Sequence, residues 1–190
     1  MTERIRAFVA LPAPEALRRA LGTAQASLLE RAAGARQRPR ATPPDHLHLT
    51  LKFLGDVAPG QVAYLESAVA KAASRAAVDV RLTGLTGFPA PHRARVLVAE
   101  LDDSGGGLAA LAAEVERAAV SVGVPAETRA FRPHITIARL RQPANASYWL
   151  EAPVPECAPC QFDRIVLCRS ILKPNGPEYV VLTEAELTGA

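Results

Sequence analysis

The stretch "DHLHLTLKFLG", residues 45–55, sets apolar and polar side chains in alternation. On a β-strand, Leu47, Leu49, Leu51 and Phe53 would share one face and pack into a core. The other face would carry His46, His48, Thr50 and Lys52, an odd set for a short strand. The pattern returns 86 residues later in "RPHITIARL", where His134 and Thr136 repeat the spacing of His48 and Thr50. Residues i and i+2 of a strand project together, so each histidine has a threonine beside it.

Two imidazoles facing each other across a groove can act as general acid and general base near pH 7, one protonated and one neutral. Hydroxyls beside them can donate to oxygens of a group under attack. That set suits displacement at phosphorus. The base takes a proton from water or a hydroxyl, the acid protonates the departing oxygen, and no protein nucleophile is required. A lone strand histidine more often fills space or caps a backbone group, but repetition of His plus Thr at matching phase speaks against that here. A zinc site is the competing arrangement, since "HLH" at 46–48 has H-x-H spacing and His134 could supply a third imidazole. It would leave the threonines without a role, and no acid lies near His134 in sequence to orient a ligand ring.

The totals bound the rest. The chain has 190 residues, 49% hydrophobic and 22% charged, which suits one globular domain or two small lobes sharing a core. Lysine occurs only at Lys52, Lys71 and Lys173, so 19 of the 22 cations are arginine. Arginine pairs well with phosphate, although codon bias would enrich Ala, Arg and Pro together in the same way. The N-terminus lacks the apolar run of a signal peptide, and no stretch approaches the ~20 apolar residues that span a bilayer. A cytoplasmic protein with reduced Cys157, Cys160 and Cys168 is expected. "CAPC" is half of a zinc pattern, but only Cys168 remains to complete it.

Along the chain, residues 4–11 read as a strand, followed by a helix with Leu17, Leu21, Ala24 and Leu28 on one stripe. Residues 34–45, rich in Pro and Arg, form either a solvated connection or a cationic lip beside the site. Further helices are expected near residues 61–77 and 105–123, with Gly105, Gly106 and Gly107 read as flexible linker. Strands follow at 78–85, 94–101, 162–172 and 178–187, the last two joined by "KPNGP", whose Asn-Gly signals a hairpin. Three helices and seven or more strands, many linked as hairpins, give an α+β fold with mainly antiparallel sheets and outer helices. The two motif strands, 46–54 and 133–140, suggest an internal duplication.

In these motifs the sequence resembles the two-histidine phosphoesterase superfamily, and within it the bacterial and archaeal RNA 2′,3′-cyclic phosphodiesterases, also called 2′-5′ RNA ligases. "RIRAFVALP" looks like their opening strand and "SILKPNGPEYVVL" like their closing hairpin. His46 stands where members often carry Asn. The resemblance implies a single bilobal domain over residues 1–190, with two sheets and pseudo-twofold symmetry about a central cleft. It implies hydrolysis of RNA 2′,3′-cyclic phosphate ends to 2′-phosphomonoesters, with ATP-independent 2′-5′ ligation to a 5′-hydroxyl end in vitro. His48 would be the proton donor, His134 the proton acceptor, and Thr50 and Thr136 the phosphate contacts. No metal or other cofactor is implied. The partners would be cleaved RNA such as tRNA halves, or small cyclic nucleotides, met by a monomer without membrane contact. The family sets Phe53 and Arg139, each five residues after a histidine, near the bound nucleotide. Strict alternation would turn both away from their histidines. Either the strands bend or bulge there, or these are core and surface residues.

Overall fold

Two strand–helix–strand segments form the centre of the sheet. The computed structural model describes residues 3–157, 160–174 and 176–188. In chain order, β1 (Ile5–Pro12) leads through α1 (Glu15–Arg31) and the two-residue β2 (Arg40–Ala41) to β3 (His48–Val57). Then come α2 (Pro59–Ala72) and β4 (Val78–Phe88). The second segment runs from β5 (Ala94–Asp102) through α3 (Gly107–Ser121) to β6 (His134–Ala144). A one-turn α4 (Ser147–Leu150), β7 (Cys160–Phe162), β8 (Arg164–Lys173) and β9 (Gly176–Glu186) complete the described chain.

All pairings are antiparallel, in the order β7-β4-β5-β6-β3-β1-β8-β9, with β2 against β6. The expected two sheets are thus continuous in one nine-stranded sheet. Their junction is a single bridge, Leu49 opposite Ile135, between the two motif strands. β1 lies deep in this sheet, and its residues Ala7, Phe8, Val9, Ala10 and Leu11 are all buried. Such a continuous apolar run is what a strand covered on both faces requires.

The helical stripe of α1 packs as its spacing demands, burying Leu17, Leu21, Ala24 and Leu28. Gln25 is buried with them and is satisfied: its Nε2 donates to Thr42 O and Ile137 O, both at 2.8 Å. Leu65, Val69 and Ala72 of α2 and Leu108, Leu111 and Val115 of α3 join the same core. Among the described residues no helix is long and apolar enough to cross a membrane.

Two local expectations change. Gly105, Gly106 and Gly107 are not a flexible linker. Gly106 takes the left-handed conformation at φ +69°, and Asp103 accepts hydrogen bonds from the backbone N–H groups of Leu108 (3.0 Å) and Ala109 (2.8 Å). The acid thus caps α3 from outside, satisfying donors at a helix end that have no partner of their own. The hairpin is present, with Lys173 paired to Gly176, although its Asn175 lies outside the described residues. Gly176, at φ +116°, needs the freedom of glycine there.

Each motif strand also carries a β-bulge. Against β1, Thr50 faces Ala10 and Lys52 faces Val9, which leaves Leu51 as the extra residue. Against β5, Thr136 faces Val98 and Ala138 faces Leu97, which leaves Ile137 extra. The alternation flips after each bulge, so Leu51 and Lys52 are buried in succession, as are Ile137 and Ala138. Lys52 therefore leaves the face it was expected to share with His48. It points into the helix layer, where its Nζ meets Glu116 at 2.8 Å and donates to Pro125 O at 2.9 Å.

Candidate active site

Leu49 and Ile135 are directly opposed and fully buried, so their side chains share the core face. Their neighbours His48, Thr50, His134 and Thr136 project to the other face, and all four are partly exposed. The antiparallel register through that bridge sets Thr136 beside His48 and Thr50 beside His134. The strands start later than expected, at His48 and His134. His46 falls instead in the short helical turn Pro44–His46.

Each ring is fixed in the same way. His48 Nδ1 lies 2.8 Å from His46 O, and His134 Nδ1 lies 2.7 Å from Arg132 O. A carbonyl only accepts, so Nδ1 carries the proton in both rings and Nε2 is the titrating atom. Nε2 offers a lone pair when the ring is neutral and a proton when it is charged. The rings are also braced by aromatics. His48 stacks on Phe8 at 5.0 Å and meets Tyr179 edge-on at 5.4 Å, while His134 meets Phe88 edge-on at 5.0 Å.

Burial pushes the His48 imidazolium down to about 4, outweighing the His46 carbonyl bond that favours charge; like-charge repulsion from the neighbouring His46 ring and the Arg139 guanidinium pushes the same way. The free protein therefore holds His48 neutral at pH 7. An unfolded histidine titrates at ~6.5, so the unfolded chain binds a proton that the folded chain refuses as pH falls from there to about 4. The contribution to stability is intact above pH ~6.5 and declines through that window, by at most about 3 kcal/mol. His48→Gln, which cannot titrate, should flatten this part of the pH dependence. Urea midpoints at pH 7, 5.5 and 4 check it, and parallel curves for the two proteins would refute it.

The bulges decide the two residues left open by alternation. Phe53 turns onto the histidine face, 66% exposed, with its ring 6.3 Å from that of Phe8. Arg139 is exposed after its own bulge, close enough for its charge to act on both His48 and Tyr179. No acid pairs with Arg139 among the described residues. Across the adjacent strand its direct partner is another arginine, Arg40.

Residues 11–98 and 101–179 match the family described as LigT like phosphoesterase. The chain belongs to that family. A Thermus thermophilus relative named RNA 2′,3′-cyclic phosphodiesterase is 34% identical over 97% of this chain and 91% of its own. An Aeropyrum pernix relative of the same name is 32% identical over 75% and 82%. A crystal structure from Thermus thermophilus superposes with TM-score 0.75 at 30% identity, covering 97% of this chain and 98% of that one. The crystal structure of E. coli LigT complexed with 3′-AMP has the same fold, with TM-score 0.73 at 23% identity over 98% and 99%.

In this LigT-like phosphoesterase, several residues of the histidine face carried no signal in the sequence. Phe8 and Tyr179 read there as ordinary strand residues. They pack with each other and with Ala10, Val166 and Cys168 in a small apolar cluster on the site side of the sheet. His46 lies tilted against Tyr179, ring centroids 4.7 Å apart, on the His48 side of the face. Among the described residues no three His, Cys, Asp or Glu side chains gather as metal ligands. Cys160 and Cys168 are buried, and burial pushes both thiols up to about 11, away from reactive thiolates.

Proposed function

We propose that this protein hydrolyses RNA 2′,3′-cyclic phosphate ends to 2′-phosphomonoesters, using His48 and His134 as a general acid–base pair. The observation that carries this reading is the pair of rings anchored through Nδ1 to the carbonyl two residues back, with a threonine beside each. Both Nε2 atoms are thereby left for proton transfer on one face. The names of the relatives support the substrate class.

In the proposed reaction, His134 Nε2 takes a proton from water as its oxygen bonds to phosphorus. The bond from phosphorus to O3′ breaks on the opposite side, and His48 gives its proton to O3′. The ester to O2′ survives. Thr50 and Thr136 donate to the phosphoryl oxygens as charge builds on them. His48 is neutral in the free protein, so the anionic substrate must bring its pKa up from about 4 before it can donate. Productive protonation thus accompanies binding. Arg139 would neutralise phosphate, and Phe53 would stack a base.

A 5′-hydroxyl in place of water would give a 2′-5′ linkage. It exchanges one P–O bond for another, and ATP has no part in it. The twofold recurrence of strand, helix and bulged motif strand supports an internal duplication, with the histidine face as the floor of a cleft in a single bilobal domain. The reading carries with it a monomer in the cytoplasm, acting on cleaved RNA or on small cyclic nucleotides. The test is an oligonucleotide ending in 2′,3′-cyclic phosphate, incubated without ATP and with a chelator. A 2′-phosphomonoester product is expected. A 3′-phosphate product, or loss of activity on chelation, would overturn the scheme, and unchanged bound RNA would mark a binding module instead.

A further inference from the structure

A cavity of about 350 Å³ opens beside His134, between β4, β5 and the segment leading into β6. Its wall includes Phe88, Phe131, Arg132, Glu100 and Thr83. We infer that this cavity is the acceptor subsite, holding the first nucleobase of a 5′-hydroxyl RNA end. The inference rests on the proposed function.

Position is the first argument. Displacement at phosphorus runs with attacking and leaving oxygens in line. With His48 protonating O3′, the nucleotide that carries the cyclic phosphate belongs on the His48 side, among Phe8, Phe53 and Tyr179. Whatever carries the attacking oxygen must then lie on the His134 side, where the cavity is. Its size is at the lower end of small-ligand pockets, ~300–1,000 Å³, enough for one nucleoside.

Chemistry is the second argument. The Arg132 guanidinium lies over the Phe88 ring at 5.2 Å, and the Arg132 side chain is 63% exposed. It offers the flat cationic surface on which unstacked RNA bases settle. Glu100 is paired to Arg132 through Oε1 at 3.1 Å, and its Oε2 makes no hydrogen bond among the described residues. A carboxylate is an acceptor only, so it favours a base edge that carries an amino group and a ring N–H. Guanine has both, and uracil lacks the amino group. Asp102 adds a second negative charge to the wall, which disfavours a 5′-phosphate where a 5′-hydroxyl is needed.

In the joining step the bond from O5′ to phosphorus forms and the bond from phosphorus to O3′ breaks. The O5′ proton goes to His134, and His48 supplies the proton for O3′. The experiment follows joined and hydrolysed products from one cyclic-phosphate oligonucleotide, with 5′-hydroxyl acceptors beginning in G or U at rising concentration. Joining should saturate, at lower concentration for G. Glu100→Gln should erase that preference, and Thr83→Trp, which fills the cavity, should raise the half-saturating acceptor concentration about tenfold, the size of one lost base stack. Hydrolysis without acceptor should stay within about twofold in both variants. Equal loss of joining and hydrolysis, joining unaffected by either variant, or no joining by the unaltered protein would each overturn the subsite. Failure of the unaltered protein to open the cyclic phosphate in the acceptor-free arm would instead bring down the functional reading, and the subsite with it.

Discussion

Replacing either His48 or His134 with alanine is expected to lower turnover of a cyclic-phosphate oligonucleotide by ~10²–10⁴-fold, the usual cost of a lost positioned acid or base. The fold should survive both changes. Each ring is partly exposed and hydrogen-bonds only a carbonyl of its own chain two residues away, which water can replace in the variant. Denaturation curves therefore need to accompany the rates. Near-normal turnover by either folded variant would remove the two-histidine mechanism. The unaltered protein should give bell-shaped profiles whose limbs belong to the pair and not to either ring. The bound anion favours the protonated forms, so the kcat limbs should lie at higher pH than those of kcat/KM. Coincident profiles would mean that substrate does not raise His48, and the acid would have to be sought elsewhere.

Thr50→Val and Thr136→Val should each cost less than either histidine change, up to the ~2.7–4 kcal/mol that one oxyanion donor supplies. Valine keeps the β-branched shape that the strand prefers and removes only the hydroxyl. Both threonines are partly exposed on the histidine face, so no buried partner is stranded by the change. The loss should fall on kcat more than on KM, because charge on the phosphoryl oxygens grows toward the transition state. Rates at saturating and limiting substrate separate the two. A threonine variant slower than both histidine variants would mean that the roles are inverted.

Much of this site was legible in residues 45–55 and 133–140, because a strand's period of two is short enough to show in eight residues. His48, Thr50, His134 and Thr136 do share one face, and α1 buries the stripe that its spacing marks. What stayed hidden was whatever depends on partners distant in sequence. Leu51 and Ile137 are ordinary apolar residues, and nothing local marks them as bulged; only pairing with β1 and β5 makes them extra. Strict alternation puts Lys52 on the site face for that reason, and pairing with β1 turns it into the core. β2, β7 and the single turn α4 are too short to build a periodic signal. The merging of two sheets into one turns on a single bridge, Leu49 with Ile135, whose flanking sequence reads the same whether or not they meet.

The bulges also separate two kinds of change that a regular strand would bind together. Up to Thr50 and Thr136 each motif strand carries the proposed phosphate contacts, and one residue later its phase is reset. Phe53 and Arg139 reach the same face through that reset, on exposed ends that neither histidine uses for support. A library that randomises positions 53 and 139 while leaving Leu51 and Ile137 fixed would sample new recognition with both imidazole anchors in place, and variants without Arg139 would also lose one charge that holds His48 down. Flattening the bulge with the sequence unchanged would do the reverse. It would restore strict alternation, bring Lys52 back beside His48 and withdraw the ion pair that now holds Glu116. The route to a new specificity in this chain therefore runs through substitution beyond the bulge, with the bulge itself kept.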